Sequence, residues 1–112
     1  MTQRYARLAA ALRAAVLERE GHSDPGLRTA VEAHAAARSG HTAPVEAEVP
    51  EPFVRYVDTV ARHAHRVTDA DLQELRETGC SEDVLFEITV SAALGAGLGR
   101  LQRAYAALNG DV

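Results

Sequence analysis

The sequence predicts a small all-α protein, a single helical domain of about five helices, and three observations lead to this prediction. The chain has 112 residues, which is the size of one domain. Aromatic residues make up 4% of it and tryptophan is absent, so the core must consist of leucine, valine and alanine, which suit closely packed helices. Residues 81–108 form one long segment that begins with a helix cap and has no charge between Ile88 and Gly99.

The first predicted helix runs from about Thr2 to Arg19 and stops before Gly21. Residues 1–17 of the chain contain arginine and no acid, a pattern that transit peptides share. Glu18 and the fit to a core helix favour the structural interpretation. We expect one face of this helix to pack inward, because apolar residues recur on it at helical spacing: Tyr5, Leu8, Leu12 and Val16.

The second predicted helix begins near Ser23 or Asp24 and ends at Gly40. Pro25 falls in its first turn, where a missing N–H costs nothing. Its expected inner face has His34 at its border and consists of Leu27, Val31 and Ala35.

Residues 41–52 interrupt the helical pattern with three prolines and three glutamates in twelve residues. This composition predicts an extended linker. It would connect the helical pair of residues 2–40 to a helical core of residues 53–108.

The third predicted helix runs from Phe53 to about Arg66. We expect ion pairs between residues four apart on its solvent side, worth about 0.2–0.5 kcal/mol each, at Glu51–Arg55 and Asp58–Arg62. The expected buried stripe consists of Phe53, Val57, Val60 and Ala64.

Two more helices complete the predicted fold. Thr68 and Asp71 are spaced as a capping box for a short fourth helix that ends at Gly79, with Leu72 and Leu75 as its anchors. Ser81 caps the fifth helix. That helix has Glu82 and Asp83 in its first turn, where carboxylates complement the helix dipole.

Three glycines inside the fifth helix need a physical reason, because each costs about 1 kcal/mol relative to alanine. We expect a helix of this subunit or of a partner to approach closely at Gly95 and Gly99. The alternative is a strand at 88–92 followed by a phosphate loop. That alternative fails at Arg100, where the G-x-G-x-x-G pattern requires glycine.

Composition excludes several classes of function. The net charge is −4 and the twelve basic residues, all arginine, are scattered, so we expect no nucleic-acid partner. A single cysteine rules out an intrachain disulfide, and no run of about 18 apolar residues predicts a membrane span. The sequence therefore predicts a cytoplasmic protein that does not contact a membrane.

Residues 67–108 read VTDADLQELRETGCSEDVLFEITVSAALGAGLGRLQRAYAAL. This run resembles the C-terminal half of the alkylhydroperoxidase D-like, or carboxymuconolactone decarboxylase-like, family. The resemblance rests on Gly79-x-Ser81-Glu82-Asp83, on Phe86-Glu87-Ile88 and on the small-residue helix that ends Gly99-Arg100-Leu101. It implies an all-helical fold and a homo-oligomer, as a dimer, trimer or hexamer.

The peroxidase chemistry of that family depends on a C-x-x-C-x-x-x-H helix, in which one cysteine attacks peroxide, the second resolves the product and the histidine moves protons. The resemblance puts Tyr56, Thr59 and His63 at this spacing. Both sulfurs are therefore missing. If a pocket exists, we expect Tyr56 and Thr59 to line it.

Two residues remain as catalytic candidates. Cys80 lies just before the Ser81 cap, where a helix dipole can lower a thiol pKa; its alternative role is to fill a tight turn. His63 borders the buried stripe, and its alternative role is that of an edge histidine. His63 and His65 point to nearly opposite sides of a helix, so we expect no metal site, and nothing indicates a cofactor.

Two functions stay open at this point. One is an oligomeric helical module for a partner or a small-molecule ligand, without the two-cysteine cycle. The other is an enzyme: a peroxiredoxin-like, thiol-dependent peroxidase that uses Cys80, or a decarboxylase-like lyase or isomerase that acts on a small organic acid through His63.

Overall fold

The computed structural model describes residues 3–40 and 48–110, which are all-α and contain no strand. Residues 41–47, most of the predicted linker, lie outside the described part. Glu51 and Pro52, assigned to the linker from sequence, instead form the first turn of a helix. The helices are α1 (Gln3–Arg13) with a π-helical continuation (Ala14–Glu18), α2 (Pro25–Arg38), α3 (Glu51–His63) with a 3-10 turn (Ala64–Arg66), α4 (Asp69–Glu77) and α5 (Glu82–Leu108).

The central element is α5, a single helix of 27 residues that is about 40 Å long. The Ser81 hydroxyl accepts a hydrogen bond from the Val84 amide at 3.2 Å, as its cap position predicts. Ile88 is fully buried in the core, together with Val31 of α2 and Val57 of α3. The alternative of a strand followed by a phosphate loop is therefore wrong.

Length and composition alone would also let α5 cross a membrane. Its most apolar 18-residue window has a mean hydropathy of 1.4, and 39% of that window is buried inside the protein.

The close neighbour of α5 is α2 of the same chain. A Cβ atom on Gly95 would lie 2.1 Å from the carbonyl oxygen of Glu32, and one on Gly99 would lie 2.8 Å from that of Ala36. Only glycine at these positions leaves room for the α2 backbone. The two helices run parallel, since residues four apart on α2 meet residues four apart on α5. Apart from its own turns of α5, no atom of the described residues lies within 4 Å of the Cβ position of Gly97, which takes no part in this contact.

The sequence predicted that one face of α1 is buried, and this prediction is wrong. No residue of Gln3–Arg13 is buried, and Leu8 and Leu12 are 61% and 50% exposed. Tyr5 contacts Tyr105 of α5, with ring centroids 5.1 Å apart. The π-helical turn explains part of the difference, because it inserts one residue and brings Leu17 rather than Val16 into the core.

Two buried charged residues of α2 hold this N-terminal segment. Arg28 donates hydrogen bonds to the carbonyl oxygens of Val16 at 2.8 Å and Arg19 at 2.5 Å, where the π-helical turn ends. Glu32, 5% exposed, forms an ion pair with Arg13 at 3.2 Å. α1 and its continuation are thus attached to the rest of the protein by these polar contacts and by the ring contact of Tyr5, and not by the leucines of α1.

α3 packs on both α2 and α5. Arg100 of α5 donates a hydrogen bond to the carbonyl oxygen of Ala61 at 2.5 Å. Neither predicted ion pair on α3, Glu51–Arg55 or Asp58–Arg62, is among the ion pairs of the described residues, which are Arg13–Glu32, His22–Asp83, His34–Asp58, Arg38–Asp58 and Arg76–Glu82.

The predicted ends of α4 are confirmed. Thr68 and Asp71 form a reciprocal capping box, and Gly79 follows the helix with a φ of 92°, a value that favours glycine. Leu75 is buried in the core and Leu72 packs against it.

Glu87 fixes the loop that leads into α2. Its carboxylate accepts hydrogen bonds from the backbone amides of His22 at 2.8 Å and Ser23 at 2.7 Å, and from the Ser23 hydroxyl at 2.5 Å. These donors, led by the His22 amide, lower the pKa of Glu87 from 4.5 to about 2. Gly21 lies so close that a Cβ there would be 2.8 Å from this carboxylate.

We expect Gly95→Ala to lower the free energy of unfolding by about 1–3 kcal/mol or more, because the new methyl group meets a backbone carbonyl that only a helix shift can move. Gly99→Ala should lower the free energy of unfolding less, since its new methyl group would lie 2.8 Å rather than 2.1 Å from a carbonyl oxygen. The control, Gly97→Ala, should retain or gain stability by up to about 1 kcal/mol. Urea unfolding in dilute solution measures all three, and equal stability of the variants at 95 and 97 would contradict the close approach.

We expect the ionised Glu87 to stabilise the fold above about pH 4.5 and this contribution to disappear as the pH falls toward about 2, because the folded-state pKa lies below the ordinary value. Glu87→Gln should lower the free energy of unfolding at neutral pH by about 1–2 kcal/mol and flatten its acid dependence. Denaturant unfolding across this pH range measures both effects. The control is Glu77→Gln, on the exposed side of α4; if both variants show the same acid profile, the anchoring role of Glu87 is wrong.

Candidate functional site

The four site residues predicted from sequence lie in two parts of the fold. Tyr56, Thr59 and His63 are on α3, at the spacing that the sequence gives them. Cys80 is in the turn between α4 and α5. Three of the four are therefore brought to one helix.

Tyr56 and Thr59 line the same cleft, which lies between α3 and α4. Its volume is about 30 Å³, enough for one or two water molecules. The Tyr56 hydroxyl is 2.6 Å from the Thr89 hydroxyl, and the Thr59 hydroxyl donates to the carbonyl oxygen of Arg55 at 2.8 Å. Both hydroxyl groups thus have partners within the protein. The cleft is lined by Pro52, Arg55, Tyr56, Thr59, Asp71, Glu74 and Leu75.

His63 is exposed at the C-terminal end of α3 and borders an open hollow of about 360 Å³. Partial desolvation lowers the pKa of His63, and the nearby cations Arg66 and Arg62 lower it further. The lowered pKa favours the neutral form of the imidazole. The hollow is lined by Glu51, Val54, Arg55, Asp58, Thr59, Arg62 and His63.

Cys80 differs from the expectation for a thiol at a helix N-terminus. It is half-buried against the core, and its sulfur is 3.6 Å from the carbonyl oxygen of Ser81, to which it donates. Burial raises the pKa of Cys80, and the negative charge of Glu82 raises it further. The thiol pKa is therefore raised and not lowered as predicted, because desolvation and a neighbouring carboxylate disfavour the thiolate. Cys80 is also not among the residues that line the His63 hollow.

A cluster that the sequence analysis missed joins α2 to α3. His34 Nε2 is 2.7 Å from Asp58 Oδ1, and Arg38 Nε donates to the same oxygen at 3.1 Å. His34 and Asp58 are both half-buried. Asp58 was expected to face solvent and pair with Arg62, but it turns toward α2. The only signal in the sequence is that His34 and Arg38 are one helical turn apart and so present two donors on one face.

The His34–Asp58 pair lies between two hollows. One is the His63 hollow, which Asp58 helps to line; the other, of about 430 Å³, is bordered by His34 and by residues 48–50. Val54 lines both. We call this surface, the outer side of α3 with His34 and Arg38 of α2, the α3 face.

The α3 face combines arginine, carboxylate and imidazole side chains with the apolar side chain of Val54, which lines both hollows. Arg55 and Arg62 can pair with an anionic group, and His34, oriented through Nε2 by Asp58, has Nδ1 left for a ligand. The arrangement suits reversible binding of a small polar molecule or proton transfer by a histidine. It holds no thiol.

The part of the chain at 3–40 and 48–110 contains no group of three or more histidine, cysteine, aspartate or glutamate side chains placed to hold a metal ion. Comparison of the chain with protein-family models, with curated proteins and with solved structures finds no match.

Proposed function

We propose that this protein is a divergent member of the alkylhydroperoxidase D-like group that works as an oligomeric binding module, without the two-cysteine peroxidase cycle. One observation carries the proposal. The two positions at the cysteine spacing are Tyr56 and Thr59, and each uses its hydroxyl in a hydrogen bond inside the protein.

The two-cysteine cycle needs an attacking thiolate and a second thiol that resolves the product as a disulfide. Cys80 is the only cysteine of the chain. Its raised pKa reduces the thiolate fraction at neutral pH, and the thiolate is the form that attacks peroxide. These facts favour binding over redox chemistry.

The α3 face is the proposed binding surface for a small polar ligand. It is open to solvent and combines Arg55 and Arg62 with the paired His34 and Asp58. A ligand with a carboxylate or another anionic group would find two guanidinium partners there.

Oligomerisation is the second part of the proposal. A chain of 112 residues buries a limited core, and association adds to it. Several large apolar side chains are exposed on α1 and α5, namely Leu8, Leu12, Phe86, Leu101 and Leu108. Such exposure is typical of surfaces that another molecule covers.

A peroxide-consumption assay tests the absence of thiol chemistry. With hydrogen peroxide or an organic hydroperoxide and an external dithiol as reductant, we expect the same background rate for the wild type and for Cys80→Ser. Thr78→Ser, a neighbouring change that keeps both the thiol and a hydroxyl, serves as the control. Turnover that disappears only in Cys80→Ser would replace the module with a single-cysteine peroxidase.

A lyase or isomerase that acts on a small organic acid is the second candidate function. His63 favours it, because a lowered pKa favours the neutral imidazole, which is the form that accepts a proton, and His63 shares a hollow with Arg55 and Arg62. In this scheme the arginines hold the carboxylate of the acid and His63 takes or returns the proton.

NMR titration of His63 tests whether the hollow takes organic acids. We expect a pKa below 6.5 in the free protein, a higher pKa in Arg62→Gln, which removes one cause of the shift, and a higher pKa when a small dicarboxylate such as malonate is added. Arg4→Gln, on α1, is the control and should leave His63 unchanged. A His63 resonance that does not respond to added carboxylates would eliminate this candidate.

A further inference from the structure

An uncovered apolar stripe runs along the outer side of α5. Its residues are separated by three or four positions, which places them on one side of a helix, and none of the seven has a charge or a hydrogen-bonding side chain. We call them the α5 stripe: Phe86, Val90, Ala93, Gly97, Leu101, Ala104 and Leu108.

Six of the seven stripe residues are exposed in the described chain, and Val90 is half-buried. Phe86 is 69% exposed and Leu108 is 80% exposed, near the two ends of α5. At the middle, the space around the Cβ position of Gly97 is empty to 4 Å. A glycine inside a helix costs about 1 kcal/mol, and no contact within the described chain explains this one, in contrast to Gly95 and Gly99.

The stripe is symmetric about Gly97. Apolar residues occur four, seven and eleven positions before it and four, seven and eleven positions after it. A second α5, laid antiparallel with the two copies of Gly97 in contact, therefore meets an apolar residue at every step. This is the self-complementarity that a two-fold interface requires.

Side-chain sizes agree with that pairing. Opposite Leu101 of one copy stands Ala93 of the other, and opposite Val90 stands Ala104, so that a larger side chain faces a smaller one on both sides of the centre. At the two ends Phe86 faces Leu108. A glycine at the centre allows the two backbones to approach, and the largest pair, Phe86 with Leu108, lies at the ends.

The charges on α5 favour the antiparallel orientation. Glu82 and Asp83 lie at the N-terminal end, and Arg100 and Arg103 lie in the C-terminal half. Antiparallel packing keeps the like charges of the two helices apart, with Glu82 and Asp83 of one copy about 12 Å along the axis from Arg103 of the other, and it opposes the two helix dipoles. Parallel packing would place like charges side by side.

The stripe by itself is smaller than a standard interface, so a stable dimer must also bury part of α1. From Phe86 to Leu108 the stripe is about 33 Å long and roughly 10 Å wide, which gives on the order of 300 Å² in plan. A standard interface needs about 800 Å² per partner. α1 runs antiparallel beside α5, with Tyr5 next to Tyr105 and Gly21 next to Glu87.

This register puts Leu8 and Leu12 near the levels of Leu101 and Gly97. Both leucines are at least half exposed. They are the apolar side chains of α1 that the dimer would have to bury beside the stripe.

We propose that the α5 stripe is the two-fold interface of a homodimer, in which α5 packs antiparallel against α5 of a second copy with Gly97 at the axis. This proposal rests on the oligomeric part of the proposed function and names the partner and the surface. It does not depend on what binds to the α3 face.

Substitution at the axis gives the test. Sedimentation analysis of the full chain at tens of micromolar should give twice the chain mass of 12.0 kDa for the wild type and 12.0 kDa for Gly97→Glu. Gly97 is exposed with open space around it, so the variant should keep its helical circular dichroism. Thr29→Glu adds the same charge at an exposed position of α2 and should remain a dimer.

A cross-linking experiment tests the axis directly. In a Cys80→Ser background, Gly97→Cys should give a covalent dimer on mild oxidation or with a short bis-maleimide, because the axis brings the two new thiols together. Thr29→Cys in the same background should stay monomeric on denaturing gels.

Each other outcome overturns the proposal in a distinct way. A monomeric wild type would refute both this interface and the oligomeric part of the proposed function. An oligomer that survives Gly97→Glu would refute the interface alone. A monomer that binds anionic lipid vesicles, with binding lost in Gly97→Glu, would assign the stripe to a membrane surface instead.

Discussion

The close approach of two backbones, α2 and α5, is the constraint on which the rest of the structure depends. Gly95 and Gly99 allow the carbonyl groups of Glu32 and Ala36 to lie where side chains would otherwise be. With the two helices this close, Val31 and Ile88 meet in the core, and α3 covers both through Val57. The glycines lose helix propensity and the core gains contact area in return.

That arrangement also determines where chemistry is possible. α3 is held by α2 on one side, through the cluster of His34, Arg38 and Asp58, and by α5 on the other, through the bond from Tyr56 to Thr89. Its remaining outer side is the α3 face. The polar residues of this face therefore lie on a helix with fixed position, which is the condition for a selective site.

Local signals predicted much of the fold but little of the site. The caps at Thr68 and Ser81 and the bounds of α5 follow from neighbouring residues, and they were predicted correctly. The face of α1 was not, because the π-helical turn shifts the register and because apolar spacing alone does not show that Leu8 stays exposed. Asp58 shows the same limit. Its spacing of four residues predicted an ion pair with Arg62, but its partners are on another helix, α2. The pKa of Cys80 depends on burial, which a cap motif does not reveal.

The parallel arrangement of α2 and α5 has a consequence for how the chain folds. The residues that meet are 63 positions apart, at Glu32 and Gly95 and again at Ala36 and Gly99. Most small helical proteins join neighbouring antiparallel helices through short loops and fold within microseconds to milliseconds because their contacts are local. Here the central contact must wait until more than half of the chain has been brought together, so loop closure adds an entropic barrier before the core begins to form. The topology therefore places this protein among the slower folders of its class.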